Sequence, residues 1–512
     1  MSDPAPLPFG AVLAFVLGAL LSAAFAPLAI FPLAVLCPAA LLLLWERATP
    51  RHAAALGFWF GAGTFLAGTY WLYTSIHVFG KAPLWVAILL MLALVAIMGL
   101  YHALVGFIAA RWLPRSGLLR WLIALPALWV SVEWLRGWLF SGFPWLSLGY
   151  SQIDSWLAGF APLGGVYLLS LLVMVSAGAL VALVREKGFA RVAMVLIAGL
   201  AWGAGAGLQR FEWTTRSGDP LTVSLVQGAI SQDLKWQEEN RDATLALYRE
   251  LTERAFGSRI IVWPEAALPA LAHEVQDYID TLHREARARG SDLVIGVLRY
   301  DFERRQYRNS IAAMSDQTTW YDKRRLVPFG EFFPVPTFVR SWMRLMSLPY
   351  VDMTAGAPQQ PPLRAAGQKL GATICYEDAY GSQQLAVLRE ATLLVNVSND
   401  AWFGDSTAPH QHLEIARMRA LEGGRPMLRA TNDGITAVIG ADGRVVEKIP
   451  QFEPGVLTAV VEPRTGLTLY AQAGNVPVIA WCCLGALLGL LFGLNRQKTA
   501  KPLRIEPTIR DS

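Results

Sequence analysis

Eight apolar runs, each close to membrane length, frame a single globular segment, and no other feature restricts the fold of this chain as strongly. Seven lie at 9–27, 28–45, 53–74, 83–110, 121–139, 160–183 and 192–208, and the eighth runs from Val476 to Leu494. A helix rises 1.5 Å per residue, so about 20 apolar residues cross a hydrocarbon core of about 30 Å. Helices also satisfy their own backbone polar groups there. Eight transmembrane helices are therefore expected. Composition agrees, since 54% of residues are hydrophobic and only 16% charged, which excludes an ordinary soluble enzyme. The chain divides into a transmembrane domain of seven helices (1–212), a globular domain (213–470), and an eighth helix with a basic tail (471–512).

Basic residues set the expected orientation. Arg47 and Arg51, then Arg111, Arg115 and Arg120, then Arg185, Lys187 and Arg191 fall in alternate loops, and Arg496, Lys498, Lys501 and Arg504 follow the last run. Of the loops between, one holds Lys81 and 141–155 holds no basic residue. Positive residues flank membrane helices on the cytoplasmic side, so both termini are expected in the cytoplasm and the globular domain outside it. A signal peptide cleaved near Ala24-Phe25-Ala26 is the alternative for the first run. The leader Met1–Pro8, which has no Lys or Arg, and the parity of the basic loops favour a retained helix. Much of the net charge of +5 sits in those loops and the tail, so it implies no nucleic-acid partner.

Within the globular segment, 221–226, 259–263, 292–297 and 392–397 are short, β-branched and bounded by Gly, Pro, Asn or Asp, the pattern of buried strands. Helical spacing occupies 237–255, 274–288, 382–390 and 410–422. Alternation of the two predicts an α/β layered domain. The stretch 429–460 reads as antiparallel strands, with Ala441-Asp442-Gly443-Arg444 as a hairpin turn. Large apolar residues in 335–350 suit either a core helix or a loop facing lipid.

Cys375 is the only cysteine outside an apolar run, because Cys37, Cys482 and Cys483 lie within them. Without a disulfide partner in its own domain it is either a buried core residue or a reactive thiol. Two other residues weight that choice. Glu265 ends the run Val262-Trp263-Pro264-Glu265, and Lys323 ends Tyr321-Asp322-Lys323. A carboxylate, an ammonium and a thiol, each closing a strand-like run, supply a general base, an electrostatic stabiliser and a nucleophile. A thiol is mostly protonated at neutral pH and needs such neighbours to attack.

Trp263-Pro264-Glu265, then Tyr321-Asp322-Lys323-Arg324-Arg325-Leu326-Val327-Pro328-Phe329-Gly330-Glu331, then Cys375-Tyr376-Glu377, with Asn396-Val397-Ser398-Asn399-Asp400-Ala401-Trp402-Phe403, resemble the carbon-nitrogen hydrolase (nitrilase) superfamily. The Leu-Val-Pro-Phe-Gly-Glu-Phe continuation and the eight apolar runs are similar to its membrane branch, the bacterial apolipoprotein N-acyltransferase family. The resemblance spans essentially the whole chain. It implies an αββα sandwich, a Glu265-Lys323-Cys375 triad, and no cofactor or metal. It also implies a ping-pong reaction at a bacterial inner membrane. Cys375 would take an acyl chain from a phospholipid, chiefly phosphatidylethanolamine, and pass it to the α-amino group of a diacylglyceryl-cysteine at an apolipoprotein N-terminus. By the same resemblance Glu331 positions Lys323 and Glu265, the Cys375–Tyr376 backbone helps form an oxyanion hole, Tyr376 and Glu377 complete the site, and Trp236 caps the entrance.

A membrane-anchored amidase that hydrolyses carbon-nitrogen bonds is the alternative enzyme, although one anchor would serve it. A transporter or receptor would leave the Glu-Lys-Cys series unexplained. Glu133 and Arg136, three apart in the fifth run, either line a headgroup path or brace helices. His410 and His412, two apart, point to different sides of a helix and make a poor metal pair. A Cys-His dyad is conceivable, but Glu265 and Lys323 explain the site without it. Nothing in the chain calls for more than a monomer.

Overall fold

A computed structural model of the chain describes residues 7–328, 330–332 and 352–499, so the expectations for 335–350 lie outside it. The first 208 residues form α1 (Leu7–Ser22), α2 (Leu33–Trp45), α3 (Pro50–Gly68), α4 (Leu84–Trp112), α5 (Leu125–Arg136), α6 (Ala161–Arg185) and α7 (Gly188–Leu208). All eight apolar runs are largely helical, the last being the terminal helix Val476–Thr499. Among the described residues, four helices are long and apolar enough to cross a membrane: Leu84–Trp112, Trp156–Arg185, Gly188–Leu208 and Val476–Asn495. The first two runs give shorter helices than read, of 16 and 13 residues, because a turn containing Pro27 and Pro32 separates them. Leu89, Leu100, Leu196, Leu200 and Leu491 all face outward, a surface suited to hydrocarbon rather than water.

Glu133 and Arg136 are buried and brace the segment after α5. The Arg136 guanidinium donates to Phe143 O (2.8 Å), Trp145 O (2.6 Å) and Ser147 Oγ (3.1 Å). The Glu133 carboxylate accepts from Leu148 N (3.1 Å) and from the Ser170 hydroxyl on α6 (2.5 Å). Arg136→Ala leaves three acceptors without a donor, at about 1–3 kcal/mol for each that stays buried. A fall of several degrees in the detergent-solubilised melting temperature is expected. An unchanged melting temperature would mean that the 143–148 segment is held by something else.

The globular segment builds two six-stranded sheets. One contains β1 (Leu221–Gln227), β2 (Ile260–Val262), β3 (Asp292–Asp301), β4 (Gln306–Met314) and β5 (Thr318–Asp322). The other contains β6 (Leu363–Ala365), β7 (Gln368–Ile374), β8 (Leu393–Ser398), β9 (Met427–Thr431), β10 (Ala437–Ile439) and β11 (Val445–Lys448). The last strand, β12 (Gly455–Val461), returns to the first sheet, giving the orders β12-β1-β2-β3-β4-β5 and β11-β10-β9-β8-β7-β6. The central strands run parallel, β1 with β2 and β2 with β3 in one sheet, β7 with β8 and β8 with β9 in the other. Strand alternation assigns the faces. Val223, Ile260 and Val262 from one sheet meet Leu370, Ile374, Val395 and Val397 from the other in a shared core.

Helices cover both outer faces. Leu251 of α8 (Arg241–Ala255) and Leu282 of α9 (Gln276–Ala288) pack on Ile261 and Ile295. On the far side α10 (Ala408–Gly423) sets Leu413, Ala416 and Ala420 against Leu394 and Met427. The layers are therefore helix, sheet, sheet, helix, as the resemblance implied. The reading of 429–460 as antiparallel strands holds for β9 with β10 and β10 with β11, while β9 also pairs parallel with β8 and β12 leaves to pair antiparallel with β1 in the other sheet. The expected hairpin is β10–β11, closed by Gly440 N donating to Arg444 O. The expected helix 382–390 contracts to Leu385–Leu388.

α10 is buried on two sides. Ala408, Ile415 and Met418 join the core of the N-terminal helices, beside Val166 and Leu169 of α6. Gln411 accepts from the indoles of Trp71 (3.3 Å) and Trp145 (2.7 Å), and donates to Gly68 O (3.1 Å). This one helix is thus the outer layer of the sandwich and a partner of the apolar helices.

Candidate active site

The three candidate catalytic residues follow strand ends. Glu265 comes after β2, Lys323 directly after β5, and Cys375 directly after β7, so the first two belong to one sheet and the thiol to the other. Gly296 on β3 makes room for the Glu265 turn, because a Cβ there would lie 2.2 Å from Pro264 O. Cys375 opens a 3₁₀ turn (Cys375–Ala379) with φ of 51°, a left-handed conformation that costs a non-glycine residue about 1–2 kcal/mol. Such strain persists where surrounding contacts over-determine it.

Lys323 Nζ donates to Glu265 Oε1 (3.1 Å) and Glu331 Oε1 (2.8 Å). Asn309 Nδ2 on β4 bridges the same two oxygens at 2.6 and 3.1 Å. Asn399 N, after β8, donates to Glu265 Oε2 at 2.9 Å, which ties the two sheets together at the carboxylate. Burial pushes the Cys375 thiol well above its usual range; the Glu265 charge adds to that, Lys323 opposes it, and Asp400 again raises it. The resting thiol therefore keeps its proton. Lys323 is pushed well above its ordinary value, because the Glu265 and Glu331 carboxylates outweigh a large burial effect in the other direction.

Glu377 is completely buried and organises both sides of the cleft. Its carboxylate accepts from Ile374 N (2.8 Å), Arg324 N (2.6 Å), Arg325 N (3.0 Å) and the Tyr321 hydroxyl (2.8 Å). It thereby joins the turn bearing Lys323 to the turn bearing Cys375. Tyr376 points toward the N-terminal helices: its hydroxyl donates to Gly142 O (3.1 Å), and its ring stacks with Trp145 at 6.3 Å.

Trp236 lies apart from this cluster, 51% exposed. Its segment is nonetheless anchored to the site wall, through Gln232 Oε1 accepting from Asn399 Nδ2 (3.0 Å). The Lys81–Asp233 ion pair (2.9 Å) ties it to the loop before α4. The neighbouring Lys235 is fully buried with Nζ unpartnered among the described residues, near the Glu265 and Asp433 carboxylates. Sequence reasoning missed Asn309, Asn399 and Lys235, and set His412 aside. The His412 ring, an Asp400 oxygen and Cys375 Sγ lie within 4.8 Å of one another. Both ring nitrogens are already hydrogen-bonded, so these groups form a network rather than an open metal site.

Family models match in two pieces: an apolipoprotein N-acyltransferase N-terminal domain over residues 17–180 and a carbon-nitrogen hydrolase over 222–468. Apolipoprotein N-acyltransferase from Chromobacterium violaceum is 43% identical over 94% of this chain and 93% of its own. The chain belongs to the apolipoprotein N-acyltransferase family. The enzyme of that name from Methylococcus capsulatus is 42% identical over 96% of this chain and 97% of its own. Membership makes the protein an acyltransferase, with a nitrilase-like domain following its apolar helices. A solved carbon-nitrogen hydrolase superfamily protein from Xanthomonas campestris covers 51% of this chain and 97% of its own, at 18% identity and a TM-score of 0.36.

Proposed function

We propose that this acyltransferase works through a thioester on Cys375, with phosphatidylethanolamine as donor and the N-terminal diacylglyceryl-cysteine of an apolipoprotein as acceptor. The carrying observation is the Glu265–Lys323–Glu331 cluster placed across the two sheets from the Cys375 turn. Glu265 takes the thiol proton as sulfur attacks the ester carbonyl. Lys323 and backbone amides at the Cys375 turn balance the oxyanion. The carbon-oxygen bond then breaks, the proton passes from Glu265 to the departing alkoxide, and a lysophospholipid leaves.

In the second half the acceptor amine attacks the thioester carbonyl. Glu265 takes a proton from the nitrogen, the carbon-sulfur bond breaks, and the proton returns to sulfur. Glu331 positions Lys323, Glu377 and Tyr376 hold the turns, and Trp236 stands at the entrance. The eight apolar helices would place both termini in the cytoplasm of a bacterial inner membrane and the 213–470 domain in the periplasm, by the distribution of basic residues. The enzyme would act as a monomer.

Intact-protein mass spectrometry after incubation with phosphatidylethanolamine micelles tests this reading. The expected result is a mass gain of one acyl chain, removed by hydroxylamine and discharged by a diacylated lipopeptide faster than by water. Absence of the adduct would sink the thioester; equally fast discharge by water would restore the hydrolytic alternative.

A further inference from the structure

Behind the nucleophile lies a buried cluster on which the transfer steps make no direct call. His412 Nδ1 faces Asp400 Oδ1 at 2.9 Å, and Nε2 faces Asp378 Oδ1 at 3.0 Å and Cys375 O at 3.2 Å. Arg429 closes the cluster, donating to Asp400 Oδ2 (2.9 Å) and Asn396 Oδ1 (2.6 Å), with Asp378 Oδ2 3.5 Å away. The side chains of His412, Asp378, Asp400 and Arg429 are all at most 1% exposed. Every neighbour of the imidazole nitrogens is an acceptor, so both nitrogens carry hydrogen. A neutral ring would leave one nitrogen lone pair against a buried oxygen.

Charge agrees with that geometry. Two carboxylates meet one guanidinium and one imidazolium, and the cluster closes at neutrality. Burial and Arg429 act to lower the His412 pKa, yet Asp378 and Asp400 outweigh them and raise it to about 9. The charged groups facing the ring from the elements packed on it are Asp378 on the turn after β7, Asp400 on the turn after β8, and Arg429 on β9. From the segment after α5, the neutral indole of Trp145 lies 5.8 Å from the ring.

Two consequences converge on Cys375. Its carbonyl accepts from His412 Nε2 and from Asn396 Nδ2 (3.4 Å), which holds the left-handed turn. Its sulfur also lies within 4.8 Å of the ring. We propose that His412 is a positioning residue for the transfer: a fixed imidazolium that locks the Cys375 turn through its carbonyl and supplies a second positive charge, besides Lys323, to the thiolate. With both N–H groups committed it is not the base. The inference rests on Cys375 being the nucleophile.

Iodoacetamide alkylation of Cys375 in the full-length, detergent-solubilised protein, timed by peptide mass spectrometry from about pH 6 to about pH 8, where the imidazolium holds its proton, tests it. An opposite charge within about 4–6 Å lowers an acidic group's pKa by roughly 1–3 units. His412→Gln is therefore expected to slow alkylation at neutral pH about tenfold or more. Acylation by phosphatidylethanolamine should fall in kcat by a similar factor, with KM within about twofold. Asp378→Asn keeps the ring's surroundings but weakens its hold on the proton, so a smaller slowing of alkylation at neutral pH is expected even if the first variant folds poorly.

A merely structural histidine would lower the melting temperature and leave the alkylation profile of the folded protein in place. An unchanged alkylation rate at neutral pH in either folded variant overturns the proposal. Failure of the nucleophile reading shows separately, as a wild-type protein that forms no acyl adduct yet is still alkylated at a His412-dependent rate.

Discussion

Cys375→Ser is expected to remain folded and to form no acyl-enzyme, with N-acylation of a lipopeptide reduced by roughly 10³-fold or more. The substitution nearly conserves volume in a residue only 9% exposed, so the loss reports chemistry. A hydroxyl is a far weaker nucleophile than a thiol and a poorer leaving group in the second half-reaction. The residual rate would measure what binding and the oxyanion donors contribute on their own. Intact-mass spectra and lipopeptide product formation, read on the same preparation, check both halves. Near-normal transfer by the serine variant would move the nucleophile elsewhere.

Lys323→Met is expected to damage stability and rate together. Nζ lies 3.1 Å from Glu265 and 2.8 Å from Glu331, with the lysine side chain 1% exposed. Removing it leaves two nearly buried carboxylates without their shared cation, a loss of about 3–5 kcal/mol, and removes an oxyanion stabiliser worth about 10²–10³-fold in rate. The pH behaviour separates the two effects. The folded lysine is raised above its ordinary 10.5, so its contribution is fully present below that value and fades only as pH climbs through the folded pKa. The wild type should thus show no lysine-linked loss between about pH 6 and 10. In the variant one carboxylate must bind a proton in place of the cation, so its melting temperature should rise as pH falls. A variant with a flat pH profile and wild-type melting temperature would contradict this account.

How much of this was legible in the sequence depends on how local each signal is. Glu265 and Cys375 stand out because each ends a β-branched run, and strand ends are where side chains leave the sheet. The apolar runs were legible by length, yet the turn at 23–32 shortened the first two helices, since two prolines interrupt a run that hydropathy alone reads through. β4 was missed because Gln306, Arg308 and Asn309 break its apolar pattern, and Asn309 is the very residue that bridges Glu265 and Glu331. For His412 the helical argument was sound as far as it went, separating it from His410. What it lacked was the partners: Asp378, Asp400 and Arg429 come from three other elements, and no spacing within α10 announces them.

The double burial of α10 limits how this chain can be dissected. Ile415 and Met418 pack into the N-terminal helices, Gln411 caps two of their indoles, and His412, on the same turn, touches the Cys375 carbonyl. A fragment trimmed to the sandwich would turn that face to water, and its most exposed wound would open directly behind the thiol. The boundary drawn by sequence composition near residue 212 is therefore not a seam along which the molecule can be cut.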